Sequence, residues 1–332
     1  MNTDRRSGNK KRNRRSAAAV LIITALLIAA LAYLKSHKTS PYEDLSAETE
    51  SQAMEMTVEW RGKTYTYNNS LINILFLGVD ISDPIESETV PGEAGQSDCI
   101  MLLSLDPETK QCTILQINRN TMMDLEVYDF SGNYQKSVYA QLTLQYAYSI
   151  GGKYSCRAVR DKVKELLYGV TIDGYFALEI EGVSEINDAF GGVDVTMTQD
   201  WTVIDESFTE GSTVHLEGDL AESFVRYRDI TEFNSVQGRM ERQVQYVTAL
   251  ISKMRSSGGE EFYDTISPYI GEYILTDMDA DEINALATYE YLTNEVYYLP
   301  GEEVANGDYE EFYVDEDELQ DLLIGMFYTE VE

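Results

Sequence analysis

Hydrophobic and polar positions along the chain alternate between two periods, and the switches between them predict an ordered series of strands and helices. Thr57–Trp60 and Thr64–Tyr67 flank Arg61-Gly62-Lys63, the pattern of a small hairpin. Ile72–Val79 is a continuous apolar run that ends at Asp80, as expected of a strand buried on both faces. A Pro/Gly/Glu-rich loop over Ser82–Gln96 follows. A second hairpin pairs Ile100–Leu105 with Cys112–Ile117 around Asp106-Pro-Glu-Thr-Lys110. Helical spacing covers 138–149 and 155–168, the latter with Val159, Val163, Leu166 and Leu167 on one face. Next come a strand near Tyr175–Ile180, a helix near Val183–Phe190 and a strand after Gly191-Gly192. From Arg239, the apolar residues Met240, Val244, Val247, Ile251 and Met254 recur at helical spacing and predict one buried helix face. The tail reads as a helix over 280–291, strands over 295–299 and 309–314, and a helix over 315–327. Such alternation predicts an α/β/α sandwich around a central mixed β-sheet. No linker-like break follows residue 70, so 71–328 reads as one domain.

The N-terminus follows a different pattern. Residues 1–16 form a basic tail carrying Arg5, Arg6, Lys10, Lys11, Arg12, Arg14 and Arg15. An uncharged apolar run from Ala17 to Leu34 follows, then Lys35 and Lys38. Eighteen residues suffice to span a bilayer, and the basic flank should stay cytoplasmic. Ala30-Leu31-Ala32 has the small-residue character of a cleavage site, but the run is long for the core of a cleaved leader. The expectation is an uncleaved transmembrane signal-anchor at 17–34. Residues 35–70 then form a juxtamembrane linker and the small hairpin, and the protein is a single-pass type II cell-membrane protein with an extracytoplasmic domain.

Charge narrows the functional classes. Beyond residue 16 the chain has 18 basic against 57 acidic residues, a net of −39. Such a surface lacks the basic footprint that nucleic-acid binding needs, so no nucleic acid is expected as a partner. Three cysteines, Cys99, Cys112 and Cys156, argue against a disulfide framework in an exported domain. With only His37 and His215, a zinc site or a His-based triad is not expected. Acidic clusters such as Asp315-Glu-Asp317-Glu318 lack EF-hand spacing and suit a helix N-terminus instead. Tyrosine is abundant, at 24 residues; sugar stacking is one reading, and packing within strands and helices is the default.

Against this acidity, four arginines stand close together: Arg226-Tyr-Arg228, then Arg239-Met-Glu-Arg242-Gln243. Arg suits bidentate phosphate contacts. If the helix starts at Arg239, then Arg239 and Arg242 occupy its first turn, where a bound anion offsets the unfavourable dipole. Surface pairing with Glu241, Glu232 or Asp229 is the alternative.

Several segments, in order, resemble the LytR–CpsA–Psr family. They are Asn73-Ile-Leu-Phe-Leu-Gly-Val-Asp80, Gly95-Gln-Ser-Asp98, Ile117-Asn-Arg119-Asn-Thr121, Ala189-Phe-Gly-Gly-Val-Asp194, His215-Leu-Glu-Gly218, Arg226-Tyr-Arg228 and Gly238-Arg239-Met-Glu-Arg242-Gln243. The resemblance covers about residues 71–255. It implies a phosphotransferase of Gram-positive cell-wall assembly, moving a glycopolymer from a polyprenyl-pyrophosphate carrier to peptidoglycan. By the same resemblance Arg119, Arg226, Arg228, Arg239, Arg242 and Gln243 would hold the pyrophosphate. Asp80 and Asp98 would bind Mg2+ or Mn2+, and Asp98, Arg119 and Arg228 would be catalytic. Phosphoryl transfer asks a protein mainly for positioning and charge neutralisation, which such a set supplies. Three residues depart from the family pattern: Gln96 stands in place of Arg, Asn120 in place of Asp, and Val236 in place of Asp. The alternative reading is a non-catalytic polyprenyl-phosphate-binding scaffold of the same fold.

Overall fold

Three strands rich in aliphatic side chains make the middle of the molecule, because their residues have apolar partners on both sides. A computed structural model describes residues 57–331, apart from 82, 230, 257–261 and 308. The elements are β1 (Thr57–Trp60), β2 (Lys63–Tyr67), β3 (Ile72–Asp80), β4 (Gln96–Asp106), β5 (Gln111–Ile117), β6 (Met122–Tyr128) and β7 (Tyr134–Gln141). There follow α1 (Leu144–Ala147), α2 (Gly152–Leu166), β8 (Gly174–Glu179), α3 (Gly182–Ala189), β9 (Val193–Thr196), β10 (Thr213–Leu216), α4 (Asp219–Arg226) and α5 (Ser235–Ser256). The last are α6 (Phe262–Ile266), β11 (Ile274–Thr276), α7 (Ala280–Leu286), β12 (Glu290–Tyr298), β13 (Gly301–Asn306), β14 (Tyr309–Val314), α8 (Glu316–Phe327) and β15 (Tyr328–Glu330).

The central sheet has six strands in the order β11-β8-β3-β4-β5-β12. It is mixed: β3 with β8 and β5 with β12 are parallel, and the other neighbours are antiparallel. Side-chain alternation along β3 sends Ile74 and Phe76 to one face and Leu75, Leu77 and Val79 to the other. The first face packs against α3, α4, α5, α6 and α7, the second against α1, α2 and α8. The result is the expected mixed α/β sandwich.

Two local features shape the end of β3 and β4. Gly78 pairs with Cys99 but Val79 pairs with Ser97, so Asp98 is the extra residue of a β-bulge. A bulge re-aims the side chain it carries, here a carboxylate at the sheet's end. Gly95 enters β4 at φ +77°, and a Cβ there would lie 2.2 Å from the Asp80 carbonyl oxygen. A glycine therefore lets the loop close onto the end of β3.

The structure redraws several expected boundaries. Residues 138–141 are strand, within β7, and of the expected helix over 138–149 only α1 is helical. Val138 and Ala140 pack inward while Tyr139 is exposed, a period of two fixed by pairing with β6. The expected helix over 280–291 ends at Leu286, and Glu290 already pairs with Gln111. The α5 helix begins four residues before Arg239, with Val236 fully buried. Two motifs distant in sequence join as one hairpin-like pair, in which His215 stands opposite Asp194.

The β1–β2 hairpin is tied to the C-terminal end of the domain. Tyr67 pairs with Tyr328, and Trp60 Nε1 donates to Asp321 Oδ1 at 2.7 Å. All three cysteines are buried free thiols. Cys112 lies opposite Leu105, and Ile100 lies opposite Ile117, so Cys99 and Cys112 occupy opposite ends of one strand pair. The basic tail at 1–16, the apolar run at 17–34 and residues 35–56 lie outside the described residues. Among the described residues no helix is long and apolar enough to cross a membrane.

Candidate active site

The bulge carboxylate of Asp98 gathers two guanidiniums from distant parts of the chain. Arg119, in the turn after β5, places Nη1 3.0 Å from Asp98 Oδ1. Arg239, on α5, places Nη1 3.0 Å from Asp98 Oδ2. Thr143 Oγ1 adds a donor 3.5 Å from Oδ1. The second Arg119 amino group donates to Gln96 Oε1. The Arg119 turn is held by its neighbours, Thr121 donating to the Asn118 carbonyl and Asn120 N to the Asn118 side chain.

Both arginines are largely buried, at 12% and 7% side-chain exposure. Burial, opposed by Asp98 and aided by the charges of Arg239 and Arg228, brings the Arg119 guanidinium down to about 10, so it stays cationic at neutral pH. Nε of Arg119, and Nε and Nη2 of Arg239, are buried without a hydrogen-bond partner among the described residues. Each unmade bond of this kind costs about 1–3 kcal/mol, and more for a charged group. Two cations share one carboxylate, which leaves a local excess of positive charge and donors without acceptors. An anion bearing several oxygens satisfies both.

Asp98 and Arg239 open onto a cavity. Asp80, Asp98, Arg226, Arg239 and Gln243 line its polar part, and Phe76, Leu178, Val183, Tyr246 and Val247 are among its apolar walls. An adjoining void shares Phe76, Leu178, Tyr246 and Val247 and continues along Leu250, Ile251 and Met254 with almost wholly apolar walls. The two are narrow, about 60 and 50 Å³. Cys99 also lines the first cavity, but burial pushes its thiol up to about 12, so it is neutral and a poor nucleophile.

The remaining expected residues divide. Arg226 is half exposed, pairing with Glu222 at 2.8 Å and with Asp80 at 3.7 Å. Arg228 faces a second cavity, where it pairs with Glu310 and bonds Ser235 Oγ at 3.1 Å. Gln243 lies at the first cavity with its Oε1 buried and unpartnered. Arg242 is turned away from both cavities. Its Nε donates to the Phe224 carbonyl at 2.7 Å, another nitrogen donates to the Tyr227 carbonyl, and its guanidinium lies 4.3 Å from the Trp201 ring centroid. It therefore serves α4's C-terminal end instead of an anion. Gly238 permits this stack, since a Cβ there would meet Trp201 at 2.7 Å. With α5 starting at Ser235, neither Arg239 nor Arg242 lies in the first turn, and the helix-terminus argument does not apply to them.

Two carboxylates escaped the sequence reading. Glu303 on β13 accepts from Asn118 at 2.9 Å and from Asn120 at 2.5 Å, and burial raises its pKa. Glu310 on β14 accepts from Arg228 and from the Asn234 backbone N–H at 2.7 Å. A period-two reading of 309–314 would have put Glu310 on the face of buried Phe312. Asp80 and Asp98 both line the first cavity, but each Asp98 oxygen is already held by a guanidinium, so a cation there would need ligand oxygens as well. Among the described residues no group of three or more His, Cys, Asp or Glu is placed to hold a metal alone.

Comparison with known proteins adds to this geometry. The model of the LytR_cpsA_psr family matches residues 29–323. The polyisoprenyl-teichoic acid–peptidoglycan teichoic acid transferase TagV of Bacillus subtilis (strain 168) is 29% identical over 273 residues, 79% of this chain and 63% of that protein. The TagU transferase of Enterococcus faecalis is 26% identical over 220 residues, 66% of each chain. This chain thus spans slightly less than two thirds of the length of these curated relatives. Among solved structures, B. subtilis TagV is similar at a TM-score of 0.59 and 23% identity, covering 78% of this chain and 96% of that one. TagT bound to LI-WTA is similar at 0.57 and 20%, covering 78% and 90%. These likenesses establish the fold.

The different environments of Arg239 and Arg242 predict opposite responses to substitution. Arg242→Ala should lower stability by about 3–5 kcal/mol, because it strands two carbonyls and empties the Trp201 stack. Arg239→Leu should change it by less than about 1 kcal/mol, because it deletes two buried donors that lack partners and leaves Asp98 still paired with Arg119. Urea denaturation midpoints of the purified protein measure both, and the reverse order would contradict the assignment.

Proposed function

This chain belongs to the LytR–CpsA–Psr family, and from that premise we propose that it is a membrane-anchored phosphotransferase moving a glycopolymer from a polyprenyl-pyrophosphate carrier to peptidoglycan. The observation that carries the proposal is the set of buried, unpartnered guanidinium nitrogens around Asp98, two on Arg239 at the head of an apolar cavity and one on Arg119, which pairs with the same carboxylate. A lipid pyrophosphate has matching chemistry: oxygens for the arginines and a prenyl chain for the walls between α3 and α5. The voids are narrow, so the prenyl chain would enter by displacing side chains such as Tyr246 and Phe76. The relatives' names as teichoic acid transferases support the substrate class.

In the proposed reaction an acceptor sugar hydroxyl attacks the phosphorus that bears the glycopolymer. A P–O bond to the acceptor forms, the P–O bond to the bridging oxygen breaks, and polyprenyl phosphate leaves with the electron pair. The acceptor proton passes to Asp98 or to solvent. Arg119 and Arg239, held by Asp98, neutralise charge on the transferring group, and Arg226 does so at the exposed edge. Mg2+ or Mn2+, held by Asp80 and Asp98 together with phosphate oxygens, would supply further neutralisation when bound. Gln96 supports Arg119 in place of adding a charge, and Glu303 brings a carboxylate to Asn120. The proposed anchor is residues 17–34, with the domain outside the cell.

Transfer from a lipid-linked donor to peptidoglycan oligomers tests the reading. Arg119→Ala and Arg239→Ala should each lower transfer ten- to a hundredfold, about 1.4–2.8 kcal/mol, with donor affinity less affected. Asp98→Ala and EDTA should both abolish it. A wild type that binds donor and transfers nothing to any acceptor would leave the scaffold reading, and full activity in EDTA would remove the metal.

Topology has its own test. Protease added to intact protoplasts should degrade the domain, while protection or release of a mature form starting near Tyr33 would contradict the anchor.

A further inference from the structure

Arg119 stands between two cavities of different character. Its carboxylate partner Asp98 lines the narrow apolar cavity, while Arg119 itself and Gln96 line a second, open one of about 550 Å³. The second cavity lies between the β6–β7 hairpin and β14, which the Phe312 N–H joins to the Asn120 carbonyl at 2.9 Å. Its walls carry two tyrosines, Tyr139 at 59% and Tyr309 at 73% exposure. Beside them are the amides of Gln96, Asn120 and Gln141. Of its arginines, Arg228 is matched by Glu310 while Arg119 shares Asp98 with Arg239, and Glu311 adds another carboxylate to the lining.

That composition selects a ligand. Exposed aromatic faces offer apolar contact to the C–H face of a sugar ring, and amides and carboxylates suit its hydroxyls. The Arg228–Glu310 pair and the further carboxylate of Glu311 disfavour a polyanion along that wall. In-line displacement at phosphorus also requires the attacking and leaving oxygens on opposite sides. With the leaving lipid phosphate in the narrow cavity, the nucleophile approaches from the other side of Arg119. Building on the transferase reading, we propose that the second cavity is the acceptor subsite, binding an uncharged sugar of a glycan strand with Tyr139 and Tyr309 as its stacking platform.

The test varies acceptor concentration in the transfer assay and, separately, titrates a peptidoglycan-derived oligosaccharide into the full-length protein by calorimetry without donor. Tyr139→Ala and Tyr309→Ala should each raise the acceptor KM three- to tenfold and weaken oligosaccharide binding in proportion. Donor affinity and urea midpoint should hold, and Tyr139→Phe and Tyr309→Phe should keep wild-type values. An unchanged acceptor KM in the doubly substituted Ala protein would overturn the subsite. So would a loss of donor affinity in its place, which would put the donor's polymer in this cavity. Calorimetry keeps the two readings separable. A wild type that binds the oligosaccharide through both tyrosines but never transfers supports the subsite and sinks the transferase. One that transfers with tyrosine-independent acceptor KM does the reverse.

Discussion

Asp98 holds two guanidiniums, one on each carboxylate oxygen, and the geometry of both cavities follows from that shared contact. Two buried cations on one anion is a costly arrangement. Desolvation of each charge is only partly repaid by the ion pairs, and the cations repel one another. Removing the carboxylate would leave both uncompensated, a loss of about 3–5 kcal/mol for a broken buried pair. The bulge that aims Asp98 and the glycine that closes the loop onto Asp80 are the backbone devices behind it. Stability spent in this way is characteristic of a site built for a ligand, because an anion completes what the folded chain leaves unsatisfied.

How the chain divides its arginines follows from which element carries each one. Arg226 and Arg228 are two residues apart at the end of α4 and reach different cavities, one beside Asp80 and the other beside Glu310. Arg239 and Arg242 are less than a turn apart on α5, yet one meets Asp98 and the other meets Trp201. Arg119 lines one cavity and pairs with Asp98, which lines the other. A lipid phosphate on one side of it and a sugar hydroxyl on the other is the arrangement that displacement at phosphorus requires. Two departures from the family pattern are absorbed locally, since Gln96 braces Arg119 and Asn120 is bonded by Glu303. Val236 is a fully buried core residue.

Much of this was legible in the sequence wherever a strong local period met its expected surroundings. The run Ile72–Val79 could only be a strand covered on both faces, and the structure puts it third of six. The arginine cluster was visible because it breaks an acidic background. What stayed hidden depends on contacts between distant segments. Residues 138–140 carry apolar side chains that suit a helix locally, and pairing with β6 makes them strand. The role of Arg242 turns on Trp201, 41 residues away, which spacing around the cluster does not reveal. Glu303 and Glu310 look like solvated charge until the β13–β14 hairpin folds beside the Arg119 turn.

The central claim is that the unpartnered nitrogens around Asp98 are an anion site. The most direct measurement is a crystal structure of the protein with a short-chain prenyl pyrophosphate such as farnesyl pyrophosphate. The account predicts phosphate oxygens within hydrogen-bond distance of Arg239 Nε and Nη2 and of Arg119, with the prenyl chain running between α3 and α5. A pyrophosphate bound elsewhere, with Arg239 still contacting Asp98 and no ligand oxygen, would contradict it.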